Sequence, residues 1–194
     1  TLGMRLGDDK LKKVFNRFGF DQSIGGGIVM TSSHLPDFGS LGSGDQAQTA
    51  IGQSSLLVTP MHMAMMASAF VHGGVVMKPY LVQEVVTPGG LVVHSASPEK
   101  WLTATTENMA AKIYSYMEDV VTKGTGKAAQ VSGVEVAGKT GTAENPQGED
   151  HAWFIGTAKL RNRNIAFAII VENGGGGGKV AAPIARKIIL SLQN

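Results

Sequence analysis

The sequence predicts an α+β domain, an antiparallel sheet with helices packed on it. Two observations carry that prediction. Three alternating or apolar segments near the C-terminus, Val134–Thr142, Ala152–Ala158 and Ile165–Glu172, are joined by short polar turns. Four other segments place apolar residues at helical spacing, so helices surround the strands rather than alternating with them. At 194 residues the chain suits one domain or a large part of one, and all of 1–194 is read as belonging to it.

The chain opens on "TLGMRLG", inside an apolar pattern and without an initiator Met, and is read as beginning in mid-fold. Asp8 and Asp9 precede Leu11, Val14, Phe15 and Phe18, one face of a helix that Gly19 ends. Residues 20–58 hold Gly, Ser and Asp with little periodicity, an irregular length that is often functional. Thr59 as cap, Pro60 at the first helical position and Gly73 as stop bound a helix rich in methionine, read as core filler. "VVMKPYLVQEVV" and "LVVHS", joined by "TPGG", predict a hairpin. Thr105 or Thr106 starts a helix through about Thr122, which "KGTGKAA" ends. "KLRNRN" turns the second C-terminal strand into the third, and after five glycines Pro183 lies near the start of a last helix through Leu192.

Composition excludes several functions. There is no cysteine, so no disulfide or thiolate metal site, and a net charge of +2 with no run of five like charges gives no nucleic-acid signal. The longest apolar helical stretch, Met61–Val71, is broken by His62 and reads as a core helix. "KGTGKA" and "GGGGGKV" fail the phosphate-loop pattern, with Val121 and Asn173 where the first glycine belongs and Ala128 and Val180 after the lysine. The five histidines show no paired ligand spacing; His62 and His72 are read as packing residues and His94 as part of the hairpin. No metal and no cofactor is expected. "SPEK" has the spacing of a serine–lysine nucleophile pair, but the following "WLTATT" lacks an apolar helical face to hold it, so Ser97 is read as a surface turn.

The stretch with the clearest chemical logic is "AGKTGTAE". On a strand, Lys139 shares a face with Gly141, and Thr140 with Thr142. Gly141 leaves room for a close backbone approach. At a sheet edge beside a cleft, free N–H and C=O groups could pair with an extended peptide, the threonine hydroxyls could hold a carboxylate, and Lys139 would favour that anion. The backbone N–H of Thr142 could stabilise an oxyanion. Taken alone, the tripeptide reads as a lysine and threonines on a solvated strand.

The surroundings add a resemblance. "AGKTGTAE", "HAWFIGTA" and "IAFAIIVENGGGGGKVAAPIARKI", with "AIGQSSLLVTPMHMAMMASAFVHGGVVMKPYLV" and "VVTKGTGKAA" upstream, resemble the C-terminal part of penicillin-binding protein transpeptidase domains, class B members above all. The resemblance implies a β-lactamase/D,D-transpeptidase-like fold. It implies an enzyme that attacks the D-Ala-D-Ala end of a peptidoglycan stem peptide through a serine, passes the acyl group to a neighbouring amine and is trapped by β-lactams. By motif, Lys139, Thr140 and Gly141 are the third motif. Thr140 and Thr142 would contact the substrate carboxylate, and the Thr142 N–H would share the oxyanion hole. Glu144 would lie at the cleft rim, and Gln53, in "GQSS", on a loop approaching the site.

The family also needs S-x-x-K and S-x-N, and this chain has neither in place. The expected nucleophile, its lysine and the second serine therefore fall upstream of Thr1. The resemblance then implies a domain incomplete at its N-terminus and inactive alone, with a membrane anchor further upstream and a working position outside the cytoplasm. Its exposed apolar surface calls for a partner, either the missing half or a second copy. The alternatives are a β-lactam-sensing receptor domain, a non-catalytic peptidoglycan-binding module and, less favoured, a serine β-lactamase.

Overall fold

The computed structural model describes residues 2–25 and 29–193. Two short helices open the chain, α1 (Leu2–Leu6) and α2 (Asp8–Arg17). Asp8 and Asp9 occupy the first turn of α2 and Arg17 the last, both favourable to the helix dipole. The irregular segment that follows contains one short helix, α3 (Ser43–Thr49). Helix α4 (Pro60–Val71) starts as its sequence requires: the Thr59 hydroxyl accepts from the His62 N–H and Pro60 sits in the first turn. Gly73 and Gly74 beyond its end have φ of 62° and 88°, left-handed backbone that glycine adopts freely.

The expected hairpin over 75–95 is rearranged. Strand β1 (Val75–Met77) pairs not with the "LVVHS" segment but with β4 (Lys100–Thr103), and β2 (Glu84–Val86) pairs with β3 (Val92–Ser95). The break falls at Lys78–Pro79, where proline has no N–H for a ladder and Lys78 forms an ion pair with Glu99. His94 lies in β3, as expected. "SPEK" is extended and exposed up to Lys100, which opens β4, so no helical turn aligns Ser97 with Lys100.

Helix α5 (Glu107–Thr122) is capped by the Thr106 hydroxyl, and a 3-10 turn at Lys127–Ala129 leads into the main sheet. Strands β5 (Glu135–Ala143), β6 (His151–Leu160) and β7 (Arg163–Val171) form an antiparallel sheet in the order β5-β6-β7. These bounds differ from the expected ones by a residue or two. Helix α6 (Ala181–Ser191) completes the chain.

The sheet is covered on both faces. On one, Ala152, Phe154 and Ala158 of β6 pack with Ala181, Ala182, Ala185 and Ile189 of α6. Gly138 is needed there, because a Cβ would lie 2.5 Å from the Phe154 ring and 2.8 Å from the Ile155 carbonyl oxygen. On the other face lie α4, against β6 and β7, and α5, against β5. The far side of α4 packs Met65 and Ala69 onto Val76 of β1 and Ala104 just past β4. A helix enclosed on two sides has no wide polar stripe, which is why it is apolar nearly all round. Met63 and Met65 are buried, as expected, but Met63 also faces the cleft that Met66 lines. Among the described residues no helix is long and apolar enough to cross a membrane.

Candidate functional site

Strand β5 is an edge of its sheet, and the "GKTGTA" residues form its last turns of pleat. Register fixes the faces. Thr140 and Thr142 stand opposite Phe154 and Ala152, on the α6 side. Lys139 and Gly141 stand opposite Ile155 and Trp153, on the α4–α5 side. The alternation read from the sequence therefore holds, and it puts the cation and the hydroxyls on different sides of one edge.

The edge itself is already engaged by side chains. The Gln53 amide donates to the Thr142 carbonyl at 2.9 Å, and its oxygen accepts from the Glu144 N–H at 3.3 Å. Lys139 Nζ donates to the Thr140 carbonyl at 2.5 Å. In an antiparallel ladder the N–H and C=O of one residue point to the same side. Since the Thr142 carbonyl faces outward to Gln53, its N–H faces outward too.

Two cavities flank the strand. The larger, about 840 Å³, has Lys139, Gly141, Trp153 and Ile155 on its sheet wall, with Thr140 and Thr142 of the same edge also in its lining. Phe15, Phe18 and Phe20 from the α2 region, Met63, Met66 and Phe70 from α4, and Ile113 from α5 complete an apolar lining. Gln53 also lines it. Lys139 is thus the one cation in an apolar bowl. Its side chain is exposed to the cleft, with its ammonium held against the strand edge.

The smaller cavity, about 430 Å³, lies on the opposite side and is lined by Thr125, Thr140, Thr142, Gly176–Gly178 and Lys179. The hydroxyls of Thr125 and Thr140 are 2.6 Å apart, and Thr142 Oγ1 accepts from the Gly177 N–H at 3.4 Å. Because Thr142 Oγ1 accepts that bond, its own proton remains to be donated, and one of the Thr125–Thr140 pair keeps a proton as well. Hydroxyl donors beside a lysine and the start of α6 make a pocket suited to an anion. The glycine run is a steric requirement here: a Cβ on Gly177 would lie 2.2 Å from the Trp153 oxygen, and one on Gly178 would lie 2.5 Å from the Thr125 oxygen.

The structure brings together Lys139, Thr140, Gly141, Thr142 and Gln53, with Glu144 exposed where the strand ends. Ser97 lines neither cavity. Sequence reasoning did not place Thr125, Trp153 or the three phenylalanines near α2 at the site; Phe15 and Phe18 were read only as one face of a helix. The only local sign of Thr125 was its glycine-flanked position after α5.

Other titratable groups lie apart from the site. His62 is fully buried against Phe20 and Trp101, with Nε2 at 2.7 Å from the Phe18 carbonyl and Nδ1 unpartnered. It is a packing residue, as expected, but half satisfied, and burial holds its pKa below the ordinary value. His72 Nδ1 meets the Ser68 carbonyl at 2.9 Å. At the far end of β5, Lys159 pairs with Glu135 and holds its carboxyl below the usual range, while burial and the neighbouring Glu135 charge push Glu118 up.

Comparisons with known proteins agree with one another. Residues 1–190 match the family described as penicillin binding protein transpeptidase domain. The chain is 33% identical to the peptidoglycan D,D-transpeptidase PbpA of Mycolicibacterium smegmatis, over 97% of its own length and 40% of the relative's. It is 34% identical to the stage V sporulation protein D of Bacillus subtilis, over 97% of its own length and 31% of the relative's. The D,D-transpeptidase domain of an Eggerthella lenta peptidoglycan glycosyltransferase superposes with a TM-score of 0.87 at 33% identity, covering 100% of this chain and 50% of that one. The imipenem acyl-enzyme complex of penicillin-binding protein A from M. tuberculosis gives 0.87 at 30% identity, covering 100% and 44%. The chain therefore spans half or less of the length of these relatives.

Proposed function

This chain belongs to the penicillin-binding protein transpeptidase family, and we propose that it supplies the substrate-binding wall of a serine D,D-transpeptidase that cross-links peptidoglycan stem peptides. The observation that carries the reading is the edge strand β5, which presents two threonine hydroxyls to one polar pocket and a lysine to the adjoining cleft. In this reading Thr140 and Thr142 hold the terminal carboxylate of a D-Ala-D-Ala peptide, and Lys139 favours that anion across Gly141. The Thr142 N–H, outward-facing, gives one of two oxyanion-hole donors. Glu144 sits at the rim and Gln53 on the loop that approaches the strand.

The chemistry follows in two transfers. A serine oxygen attacks the penultimate D-Ala carbonyl, and the terminal D-Ala leaves with a proton on its nitrogen. An amine of a neighbouring stem peptide then attacks the acyl-enzyme ester and releases the serine. A β-lactam enters by the first transfer and stalls. The serine, its lysine and the second serine lie upstream of Thr1 in this reading, on a longer protein anchored in the membrane and working outside the cytoplasm. The apolar bowl beside Lys139, with Phe15, Phe18, Met63, Met66 and Phe70 in its wall, is the surface that the missing half of the domain, or a second copy, would cover.

The test is acylation. Incubated with a fluorescent penicillin, the 194-residue chain stays unlabelled, whereas the same residues extended upstream through the serine–lysine motif take up label at that serine. Labelling of the 194-residue chain, at Ser97 or elsewhere, refutes the assignment of the nucleophile. An upstream sequence without a serine–lysine pair would favour a non-catalytic module.

A further inference from the structure

Gln53 does more than approach the site. Its carboxamide makes two hydrogen bonds to the β5 backbone, donating to the Thr142 carbonyl and accepting from the Glu144 N–H. Those two groups, on alternate residues, both face outward along the edge; an added parallel strand would engage them with one of its own residues, an antiparallel strand with two alternate residues. A primary amide has the donor and acceptor of a peptide group, so Gln53 reproduces one link of an added strand.

The loop is built to hold it there. The Gln53 N–H donates to the Gln48 carbonyl and the Gly52 N–H to the Thr49 carbonyl, both at 3.0 Å, which ties the turn to α3. Gly52 and Ser54, on either side, have φ of 86° and 66°. Left-handed backbone is ordinary for glycine but uncommon for serine. Two left-handed residues in three turn the chain sharply, with Gln53 between them aimed at an edge 89 residues away in sequence.

We propose that Gln53 is a specificity-determining residue of this strand edge. Its amide occupies the Thr142 carbonyl as a stand-in for ligand, so a ligand that brings its own amide N–H to that carbonyl must displace it. A ligand without that N–H need not. The outward N–H of Thr142 stays open in both cases, so Gln53 leaves oxyanion and carboxylate contacts untouched and acts only on the amide the ligand brings. This rests on the peptide-binding reading above and adds to it the chemical feature being selected: a backbone N–H next to the site of attack.

The test uses the ¹⁵N-labelled 194-residue chain, as wild type and as Gln53→Met, which keeps the side chain's length and removes both hydrogen-bonding groups. The probe is an N-acetylated tripeptide ending in D-Ala-D-Ala, with analogues N-methylated at each backbone amide in turn, and affinity is read from the amide resonances of Thr140 and Thr142. Gln53→Met should bind the parent tripeptide about two- to tenfold more tightly, the worth of one net hydrogen bond. One N-methyl analogue should bind both proteins alike. In the wild type the Gln53 side-chain N–H resonances should move as the tripeptide is added, a readout that needs no variant. Equal or weaker binding by Gln53→Met, or Gln53 resonances that stay still while Thr140 and Thr142 shift, overturns the role of Gln53 alone. If no tripeptide shifts Thr140 or Thr142 in either protein, the peptide-binding reading falls and this inference with it.

Discussion

Replacing Gly177 with alanine tests whether the glycine run is clamped onto the edge strand. A Cβ at Gly177 would lie 2.2 Å from the Trp153 carbonyl oxygen and 2.3 Å from that of Gly141. Both are backbone atoms of paired strands, so no side chain can rotate away. The turn must lift by roughly 1 Å to restore van der Waals distances, and overpacking of this kind costs about 1–3 kcal/mol. For a domain of this size the melting temperature should fall by about 2–4 °C per kcal/mol, or roughly 2–12 °C. Gly176 is the control. Nothing lies within 4 Å of a Cβ there, and its φ is not left-handed. Gly176→Ala should be neutral or stabilise by up to about 1 kcal/mol through the unfolded chain. Thermal unfolding followed by circular dichroism reads both. A Gly177→Ala protein that melts within about 1 °C of wild type, or a Gly176→Ala protein that falls as far, would refute the clamp.

Two further outcomes are expected. His62 resists protonation because it is buried and its Nδ1 has no acceptor, so the unfolded state takes up the proton first as pH falls. Its contribution to stability is complete above 6.5, the ordinary histidine value, and is lost progressively below it until the depressed folded pKa is passed. Urea midpoints between about pH 7.5 and 5 should drop in wild type and drop less in His62→Phe; equal slopes would count against a buried neutral imidazole. Phe154→Ala empties a fully buried site stacked on Phe167, at a cost of about 3–5 kcal/mol, and a urea midpoint that barely moves would show that the α6 face is not the core described.

Where structure is set locally, it was legible. Thr59, Pro60 and Gly73 bound α4 because caps, proline and glycine act through their immediate neighbours. The alternation of Lys139 with Thr140 survives because the pleat has a period of two whatever surrounds it. Pairing partners were another matter. Val75 meets Thr103 rather than the nearby "LVVHS", a choice made by long-range packing of Val76 and Ala104 on Met65 and Ala69. Helix α3, "SGDQAQT", has no apolar stripe and so sent no periodic signal. In the site, Lys139, Thr140, Gly141 and Thr142 had a legible chemical logic, but their assignment, and Gln53 and Glu144 altogether, came from the family resemblance. Thr125 was not legible, because nothing in "KGTGKAA" says that the turn after α5 will lie across β5 and bring its hydroxyl to 2.6 Å from Thr140.

The occupied edge has a consequence for solubility. A nine-residue edge strand invites pairing with any other extended chain, including another copy of itself. Here two outward carbonyls, on Thr140 and Thr142, are each taken by a side chain of the same molecule. Lys139 adds a charge that a stacked strand would have to bury beside its own counterpart. Gatekeepers of this sort yield to a short ligand, which needs to displace only one contact. They resist the continuous ladder that aggregation requires, which must displace all of them in every copy. In the proposed role, an edge that opens to one peptide is thereby kept closed to its own kind.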